Sequence, residues 1–269
     1  MMADLRVGMA GLGAIGREVA HWLATDAPGF ALTAVSSGDQ AKARAWLSGE
    51  GLDVPVVAAD TLPTHADVIV EAAPSAAFES IARPALLAGR TLVVLTSSAL
   101  LLHDDLVPLA AENGGRIIVP SGALLGLDAV VAAAESGIER VTLVTRKPPK
   151  GLAGAPYLVE NAIDVQAITE PTRIFAGSAR QAAVGFPANV NVAVTLSLAG
   201  IGADRTTIEI WADPTVSRNV HRIEVEADAA RFAMDIEGVP SANPRTGRLT
   251  PLSTIAALKR LRSTLVIGT

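Results

Sequence analysis

The amino-acid sequence predicts an α/β fold in which a doubly wound parallel sheet precedes a second, α+β domain. Over about the first 120 residues, short apolar segments alternate with stretches of helical pattern. This alternation is typical of a parallel sheet covered on both faces. Further along, the segment 140–145 alternates apolar with polar residues, which indicates a second sheet with one exposed face.

The first domain is placed at residues 1–123 and contains six predicted strands. Their ranges are 5–10, 30–35, 54–58, 68–70, 92–95 and 117–119. Helical patterns follow the first two strands and recur at about 75–88 and 104–113, while His65 falls in a connecting loop. Strand and helix therefore alternate throughout this domain.

The first strand runs directly into a glycine-rich turn, Gly11-Leu12-Gly13-Ala14-Ile15-Gly16, which opens the first helix. In a Rossmann-type domain the first glycine permits a tight turn, the second lets the backbone approach a pyrophosphate, and the third allows close helix packing. Helix amides then hold the phosphate charge. A plain strand-to-helix turn is the alternative, but strand, motif and helix agree. We expect NAD or NADP to contact Gly11, Gly13, Ala14, Ile15 and Gly16.

The end of the second strand bears on the choice between these two cofactors. An acidic residue that holds the ribose 2′-hydroxyl is expected there, but the sequence reads Val35-Ser36-Ser37. Ser36 and Ser37 can bond either a hydroxyl or a 2′-phosphate, with Lys42 or Arg44 supplying positive charge. We expect dual use of NAD and NADP, or a preference for NADP, with Ser36 as a cofactor contact.

The second domain is placed at residues 124–247, and a C-terminal helix within 248–269 is expected to pack back on the first domain. The predicted elements are helices at 126–136, 178–184 and 187–199 and strands at 140–145, 206–211, 220–226 and 231–237. In the tail, Ile255, Leu258, Leu261 and Leu265 have helical spacing.

Composition excludes several classes of protein and site. The chain has 269 residues and no cysteine, which rules out disulfides, thiolate metal sites and thiohemiacetal chemistry. No metal site is predicted. A net charge of −5 with 3 Trp, 1 Tyr and 5 Phe leaves little to bind or stack on nucleic acid, so no such partner is expected. Without a membrane-spanning run or a signal segment, a cytoplasmic location is expected.

Among the histidines, His221 has the sequence context most typical of catalysis. In the strand 220–226 it shares one face with Ile223 and Val225, whereas Arg222 and Glu224 point to the other. Burial lowers the pKa of such an imidazole and a nearby carboxylate raises it, so we expect proton exchange near neutrality. A hydrogen-bonded core histidine is the alternative, and alternation alone does not separate the two.

Further candidate residues lie in the same domain. Arg146 and Lys147 end a strand with two cations, which indicates either a solvated edge or a carboxylate clamp. Asn189 and Asn191 stand at a predicted helix start, where Pro187 suits the first turn. Helix capping accounts for one of these amides more readily than for both.

Seven segments of the chain carry a resemblance to a known family: the turn at 11–16, Glu71-Ala72-Ala73, Ser121-Gly122-Ala123-Leu124, Arg146-Lys147-Pro148-Pro149, residues 186–193, Asp213-Pro214 and Asn219-Val220-His221. Through them the chain resembles the L-aspartate dehydrogenases, members of a wider group of Rossmann-domain amino-acid dehydrogenases, over nearly its whole length. The resemblance implies that Ala123 and Asn189 contact the nicotinamide half of the cofactor and that His221 is catalytic. It also implies a homodimer and a role in supplying iminoaspartate to NAD biosynthesis. The segment 95–99 is more polar than the resemblance leads us to expect.

The implied reaction is the reversible oxidative deamination of L-aspartate to iminoaspartate, which water converts to oxaloacetate and ammonia. The nicotinamide takes the hydride, and we assign the proton transfers to His221. The substrate carboxylates need cationic or amide partners, for which position alone suggests Lys147, Asn191 and Arg218. One alternative is a different two-domain reductase of a carboxylated imine or ketone, similar to dihydrodipicolinate reductase or homoserine dehydrogenase. Another is a non-catalytic dinucleotide sensor, for which a histidine on an apolar face is a costly arrangement.

Overall fold

The computed structural model describes residues 3–187, 190–239 and 247–268, and the chain divides into two compact units. The first unit takes the chain up to Pro120 together with Pro251–Thr264. The second takes Ser121–Thr250 and the chain end from Leu265. Within the described residues, no helix combines the length and apolar character needed to cross a membrane.

The first unit is built on one parallel sheet. Its strands are β1 (Leu5–Ala10), β2 (Phe30–Ser36), β3 (Val56–Val57), β4 (Val68–Glu71), β5 (Thr91–Val94) and β6 (Arg116–Ile118). They lie in the order β3-β2-β1-β4-β5-β6, and all of their pairings are parallel. This is the strand order of a Rossmann fold, which confirms the predicted fold class. Strand β3 takes up only two residues of the predicted 54–58.

Helices cover both faces of this sheet. They are α1 (Ala14–Thr25), α2 (Gln40–Gly49), α3 (Leu62–His65), α4 (Phe78–Leu87), α5 (Ser97–Leu100) and α6 (Leu106–Glu112). Val68 and Val70 belong to one buried cluster and Ile69 to the other, because successive residues of a strand point to opposite faces. His65 ends α3 rather than lying in a connecting loop, since Pro63 suits the first turn of a helix.

The second unit contains a mixed sheet and is of the α+β type that the sequence predicts. Its strands are β7 (Ile138–Lys147), β8 (Thr172–Ser178), β9 (Thr207–Ala212), β10 (Val220–Ala227) and β11 (Arg231–Glu237). Their order is β11-β10-β7-β9-β8; β7 and β9 are parallel and the other pairs antiparallel. The helices are α7 (Leu127–Ala134), α8 (Pro156–Glu160), α9 (Ala179–Gly185) and α10 (Asn191–Ala199).

Two elements of this unit differ from the sequence-based prediction. Strand β8 is not predicted, because its register with β9 shifts between Arg173 and Phe175. Ile174 and Phe175 are consequently both buried, and this irregularity breaks the alternation by which a strand is recognised. Helix α10 begins at Asn191, not at Pro187.

The last helix, α11 (Leu249–Arg260), contributes to the first unit. Leu258 is fully buried in the same cluster as Trp22, and the Lys259 ammonium lies 5.5 Å from the centre of the Trp22 ring. The helix ends before Leu265, which is 73% exposed. Hydrogen bonds to the carbonyls three residues back, from Leu261 to Leu258 and onward, tighten and close the last turn.

Candidate active site

The glycine turn after β1 is closed tightly against its neighbours. Gly11 has a φ of +101°, which favours glycine over every other residue. A Cβ at this position would lie 2.5 Å from the carbonyl oxygen of Ala72. The Gly11 amide donates to the carbonyl of Ser36 at 2.8 Å. Residues at the ends of β1, β2 and β4 therefore meet at this turn.

The start of α1 suits a bound anion. Gly13 is its N-cap, and a Cβ built there would meet nothing within 4 Å. In the described structure no side chain caps α1, and its first turn holds no acidic residue. Gly16 packs so closely on the Gly11 carbonyl that a Cβ would overlap it. The positive end of α1, with its first amides at Ala14, Ile15 and Gly16, thus fits a dinucleotide pyrophosphate.

Two serines stand at the end of β2, and the backbone carbonyl of Ser36 contacts the glycine turn. Ser36 is buried and Ser37 half-buried, whereas Lys42 and Arg44 are exposed on α2. Asp39 is an exposed acidic residue that follows shortly after β2. Its Oδ1 accepts a hydrogen bond from the Lys42 amide at 2.9 Å, so this carboxylate caps α2.

Three polar side chains meet on the buried face of the second sheet. His221 in β10 stands directly opposite Thr145 in β7, and the Thr145 Oγ1 lies 3.0 Å from His221 Nδ1. Lys147 points to the same side, because alternate residues of a strand share a face. It is 6% exposed and His221 is 3% exposed. The same face of β7, β9 and β10 also buries the apolar residues Val141, Leu143, Ile208, Ile210, Ala212, Ile223 and Val225.

Burial changes the pKa of both basic groups in this cluster. It lowers the pKa of Lys147 from 10.5 to about 8. Burial, and then the positive charge of Lys147, lower the pKa of His221 from 6.5 to about 3. The expectation that His221 exchanges protons near neutrality is therefore wrong for the free protein. Its imidazole is neutral at pH 7, because burial disfavours the charged form and the neighbouring charge is a second cation and not a carboxylate.

Arg146 and Lys147 do not form a common clamp or a solvated edge. The Arg146 guanidinium lies 3.1 Å from Oδ2 of the buried Asp213 and 4.7 Å from the centre of the Trp211 ring. Asp213 also accepts from the amide and hydroxyl of Thr215 at 2.9 and 2.6 Å. Consecutive strand residues point to opposite faces, so Arg146 supports the strand ends while Lys147 enters the buried cluster.

The remaining candidates occupy more open positions. Ala123 is half-buried in the loop after β6, next to Gly122 with its φ of +64°. Asn191 is half-buried as the first residue of α10, and Arg218 is exposed in the loop between β9 and β10. Asn189 lies outside the described residues. The structure thus brings Lys147 and His221 together and adds Thr145, which sequence reasoning missed because its partner is distant in the chain.

Comparisons with known protein families assign both units. The family model described as "Homoserine dehydrogenase, NAD binding domain" matches residues 11–120. The model described as "Aspartate dehydrogenase, C-terminal" matches residues 128–261. The second match includes both strands that carry the Thr145, Lys147 and His221 cluster.

Full-length relatives and a solved structure agree with these matches. An L-aspartate dehydrogenase of Bradyrhizobium diazoefficiens is 54% identical over 99% of this chain and 95% of the relative. L-aspartate dehydrogenase 3 of Bordetella bronchiseptica is 50% identical over 99% of this chain and 98% of the relative. The crystal structure of aspartate dehydrogenase from Thermotoga maritima shares the fold, with a TM-score of 0.77, 24% identity and coverage of 98% and 100%. This chain therefore belongs to the L-aspartate dehydrogenase family of NAD(P)-dependent oxidoreductases.

Proposed function

We propose that this chain catalyses the reversible oxidative deamination of L-aspartate, in which iminoaspartate forms and water converts it to oxaloacetate and ammonia. The observation that carries the proposal is the buried cluster of Thr145, Lys147 and His221. A cation and a neutral base on an otherwise apolar sheet face suit a substrate with two carboxylates and an amine that must lose protons.

The first unit would hold the dinucleotide. The pyrophosphate would lie over Gly13 and the start of α1, where the space is open and the helix dipole is positive. The bound nicotinamide supplies the hydride acceptor. The contacts proposed for the whole cofactor are Gly11, Gly13, Ala14, Ile15, Gly16, Ser36, Ala123 and Asn189.

The end of β2 supports use of both NAD and NADP. Ser36 and Ser37 offer hydroxyls to either a 2′-hydroxyl or a 2′-phosphate, and Asp39 already accepts a hydrogen bond as a helix cap. Lys42 and Arg44 are exposed nearby on α2 and can supply charge to a phosphate. Measuring kcat/KM with each cofactor tests this, and a thousandfold preference for NAD would contradict it.

His221 is the proposed proton acceptor. As a base, the imidazole must be neutral before the reaction, and its pKa of about 3 in the free protein meets that condition. When Nδ1–H donates to the Thr145 hydroxyl, Nε2 is left with its lone pair for the substrate. A bound dicarboxylate brings negative charge into the cluster, which raises the pKa of His221. Substrate binding thus strengthens the base that takes a proton from the attacking water.

Lys147 is the proposed partner of a substrate carboxylate. Its ammonium is buried beside His221, and a charge-assisted hydrogen bond to a carboxylate offsets the cost of burying it. Asn191 and Arg218 are proposed as further substrate contacts. A second substrate carboxylate would add a charge-assisted contact in this region, so dicarboxylates are the proposed substrates in preference to simple amino acids.

Replacement of the imidazole tests the role of His221. His221→Ala should keep its affinity for the cofactor, since the glycine turn is untouched, and lose at least about a hundredfold in kcat. Fluorescence titration with the reduced cofactor and absorbance at the nicotinamide band measure the two quantities. The matched control is His21→Ala, because His21 is exposed on α1 and lies 2.9 Å from Glu50. Unchanged kcat in the His221 variant would remove this residue from the mechanism.

Substrate identity needs a separate experiment. The wild-type protein is incubated with L-aspartate and oxidised cofactor, and with oxaloacetate, ammonia and reduced cofactor, while other amino-acid and oxo-acid pairs are run in parallel. Turnover that is fastest with the four-carbon dicarboxylate pair supports the proposal. Faster turnover of a different carboxylated imine or ketone would contradict it.

We also propose that the protein is a cytoplasmic homodimer whose iminoaspartate feeds NAD biosynthesis. Membership of the L-aspartate dehydrogenase family supports these points. Light scattering coupled to size-exclusion chromatography tests the dimer, since a monomer of 27.6 kDa and its dimer differ twofold in mass.

A further inference from the structure

Glu71 is a buried acidic residue to which the proposed mechanism gives no role. It is the last residue of β4 and is 0% exposed. Taking a carboxylate out of water is costly unless hydrogen bonds replace the lost hydration. The residues around Glu71 must therefore supply hydrogen bonds that offset the cost of burying its carboxylate.

Hydrogen bonds from two chain segments converge on this carboxylate. Oε1 accepts from the Ala73 amide at 3.0 Å and from the Thr96 hydroxyl at 2.9 Å. Oε2 accepts from the Thr96 amide at 3.0 Å and from the Leu95 amide at 3.3 Å. The Thr96 hydroxyl also lies 3.2 Å from the Ala73 carbonyl. Glu71 thereby joins the segment after β4 to the segment after β5.

These two segments stand at the cofactor edge of the sheet. Glu71 pairs in register with Ala10, the last residue of β1, so it lies where the strand order reverses. In open α/β sheets the ligand binds outside the carboxyl ends of the strands at this point. The adjoining Ala72 faces Gly11 so closely that a Cβ on Gly11 would lie 2.5 Å from the Ala72 carbonyl oxygen. The segment that Glu71 holds is therefore one wall of the glycine turn.

We propose that Glu71 is a positioning residue for the dinucleotide, which holds the segments after β4 and β5 against the glycine turn. This inference rests on the proposed binding of the cofactor at that turn. A glutamine in this place would turn an amide –NH₂ toward at least one backbone N–H, because only one of its two terminal atoms accepts hydrogen bonds. The segments would then separate, and the wall behind Gly11 would move.

The experiment compares cofactor affinity in four variants. Glu71→Gln should raise the Kd for the reduced cofactor roughly tenfold or more, since hydrogen bonds to a charged group are lost. Thr96→Val removes only the hydroxyl and should raise Kd by about threefold to tenfold, while Thr96→Ser restores the hydroxyl and should bind within about twofold of wild type. The control is Glu79→Gln, because Glu79 is exposed on α4 and bonds only to Arg83 among the contacts described for it.

For the inference to hold, the variants must change the Kd for the cofactor without changing the KM for aspartate. At saturating cofactor, the KM for aspartate should stay close to that of wild type in every folded variant, whereas a general loss of structure would change both. If Glu71→Gln does not fold, the Thr96→Val and Thr96→Ser pair decides. A folded Thr96→Val variant with a wild-type Kd for the cofactor would overturn the proposed role of Glu71 and leave the proposed function intact. Wild-type protein that binds neither NAD nor NADP would overturn the proposed function as well.

Discussion

Replacing Lys147 with methionine should make the protein more stable and less active at once. Burial lowers the pKa of Lys147 from 10.5 to about 8, which corresponds to about 3 kcal/mol of unfolding free energy lost while the lysine is charged. Methionine has a similar length and no charge, so it fills the same space without that penalty. Lys147→Met should therefore raise the free energy of unfolding at pH 7 by about 3 kcal/mol.

The pH dependence distinguishes this cause from better packing. Between pH 8 and pH 10.5 the unfolded chain holds the Lys147 proton and the folded chain does not, so the stability of the wild type rises with pH over this interval. The advantage of the methionine variant should then shrink from about 3 kcal/mol at pH 7 to about 1 kcal/mol at pH 10. Below pH 8 Lys147 is charged in both the folded and the unfolded chain, so the difference in unfolding free energy between the variant and the wild type should be constant.

Urea unfolding followed by Trp211 fluorescence measures this difference within the second unit. The background is Trp22→Phe with Trp46→Phe, which leaves Trp211 as the sole remaining tryptophan of the 3 in the chain. Lys150→Met is the matched control, because Lys150 is exposed and should change stability by less than about 0.5 kcal/mol. A methionine variant that is less stable than wild type at pH 7, or whose advantage is equal at pH 7 and pH 10, would refute the reasoning. The kcat/KM of Lys147→Met for aspartate should fall at least about tenfold, since the proposed charge-assisted contact between Lys147 and a substrate carboxylate is lost.

Three further predictions follow from the same geometry. Because the pKa of His221 is lowered to about 3, the unfolded chain binds a proton below about pH 6.5 that the folded chain does not. Acid should therefore destabilise the wild type relative to His221→Leu by about 1.4 kcal/mol per pH unit between pH 6 and pH 4. Urea titrations in which the stabilities of the two proteins change in parallel with pH would contradict this. Thr145→Val should lower kcat at least about tenfold, since the imidazole loses its hydrogen-bonding partner, whereas Thr145→Ser should remain within about threefold of wild type; equal kcat values for the two variants would speak against Thr145 orienting the base. Gly11→Ala should lower the melting temperature, because its Cβ would meet the Ala72 carbonyl. Gly13→Ala has open space around it, so it should keep the melting temperature but weaken cofactor binding at least about tenfold. A Gly13→Ala protein with wild-type affinity for the cofactor would contradict the placement of the pyrophosphate at Gly13.

Much of the first unit was predictable because its signals are local. Each buried strand is a short apolar run bounded by turn residues, and the glycine turn joins β1 to α1 without a break. In the second unit, alternation placed His221 on an apolar face correctly, since Ile223 and Val225 are indeed buried beside it. Strand β8 escaped prediction because the shift at Ile174 breaks the alternation on which such a prediction depends.

The candidate site depended far more on contacts between distant segments. His221 and Thr145 are 76 residues apart in the chain, and only the pairing of β10 with β7 makes them neighbours. The charge state of His221 depends on the same pairing, because Lys147 adds a positive charge to the effect of burial. For Arg146 the sequence leaves a solvated edge and a carboxylate clamp open, and only the register of β7 with β9 places it against Trp211.

The sequence by itself determined the alternation of strands and helices, the glycine turn and the identity of the buried histidine, because each of these depends on residues within a few positions of one another. The tertiary structure alone decided which side chains of different strands come together, which oxygen accepts a hydrogen bond from which donor, and how far each pKa shifts. Glu71 shows the difference: in the sequence it is one acidic residue at the end of a strand, and its role follows only from donors that the chain supplies 24 and 25 residues later. Hydrogen bonds and burial act over a few ångströms, and strand pairing determines which residues come within that distance.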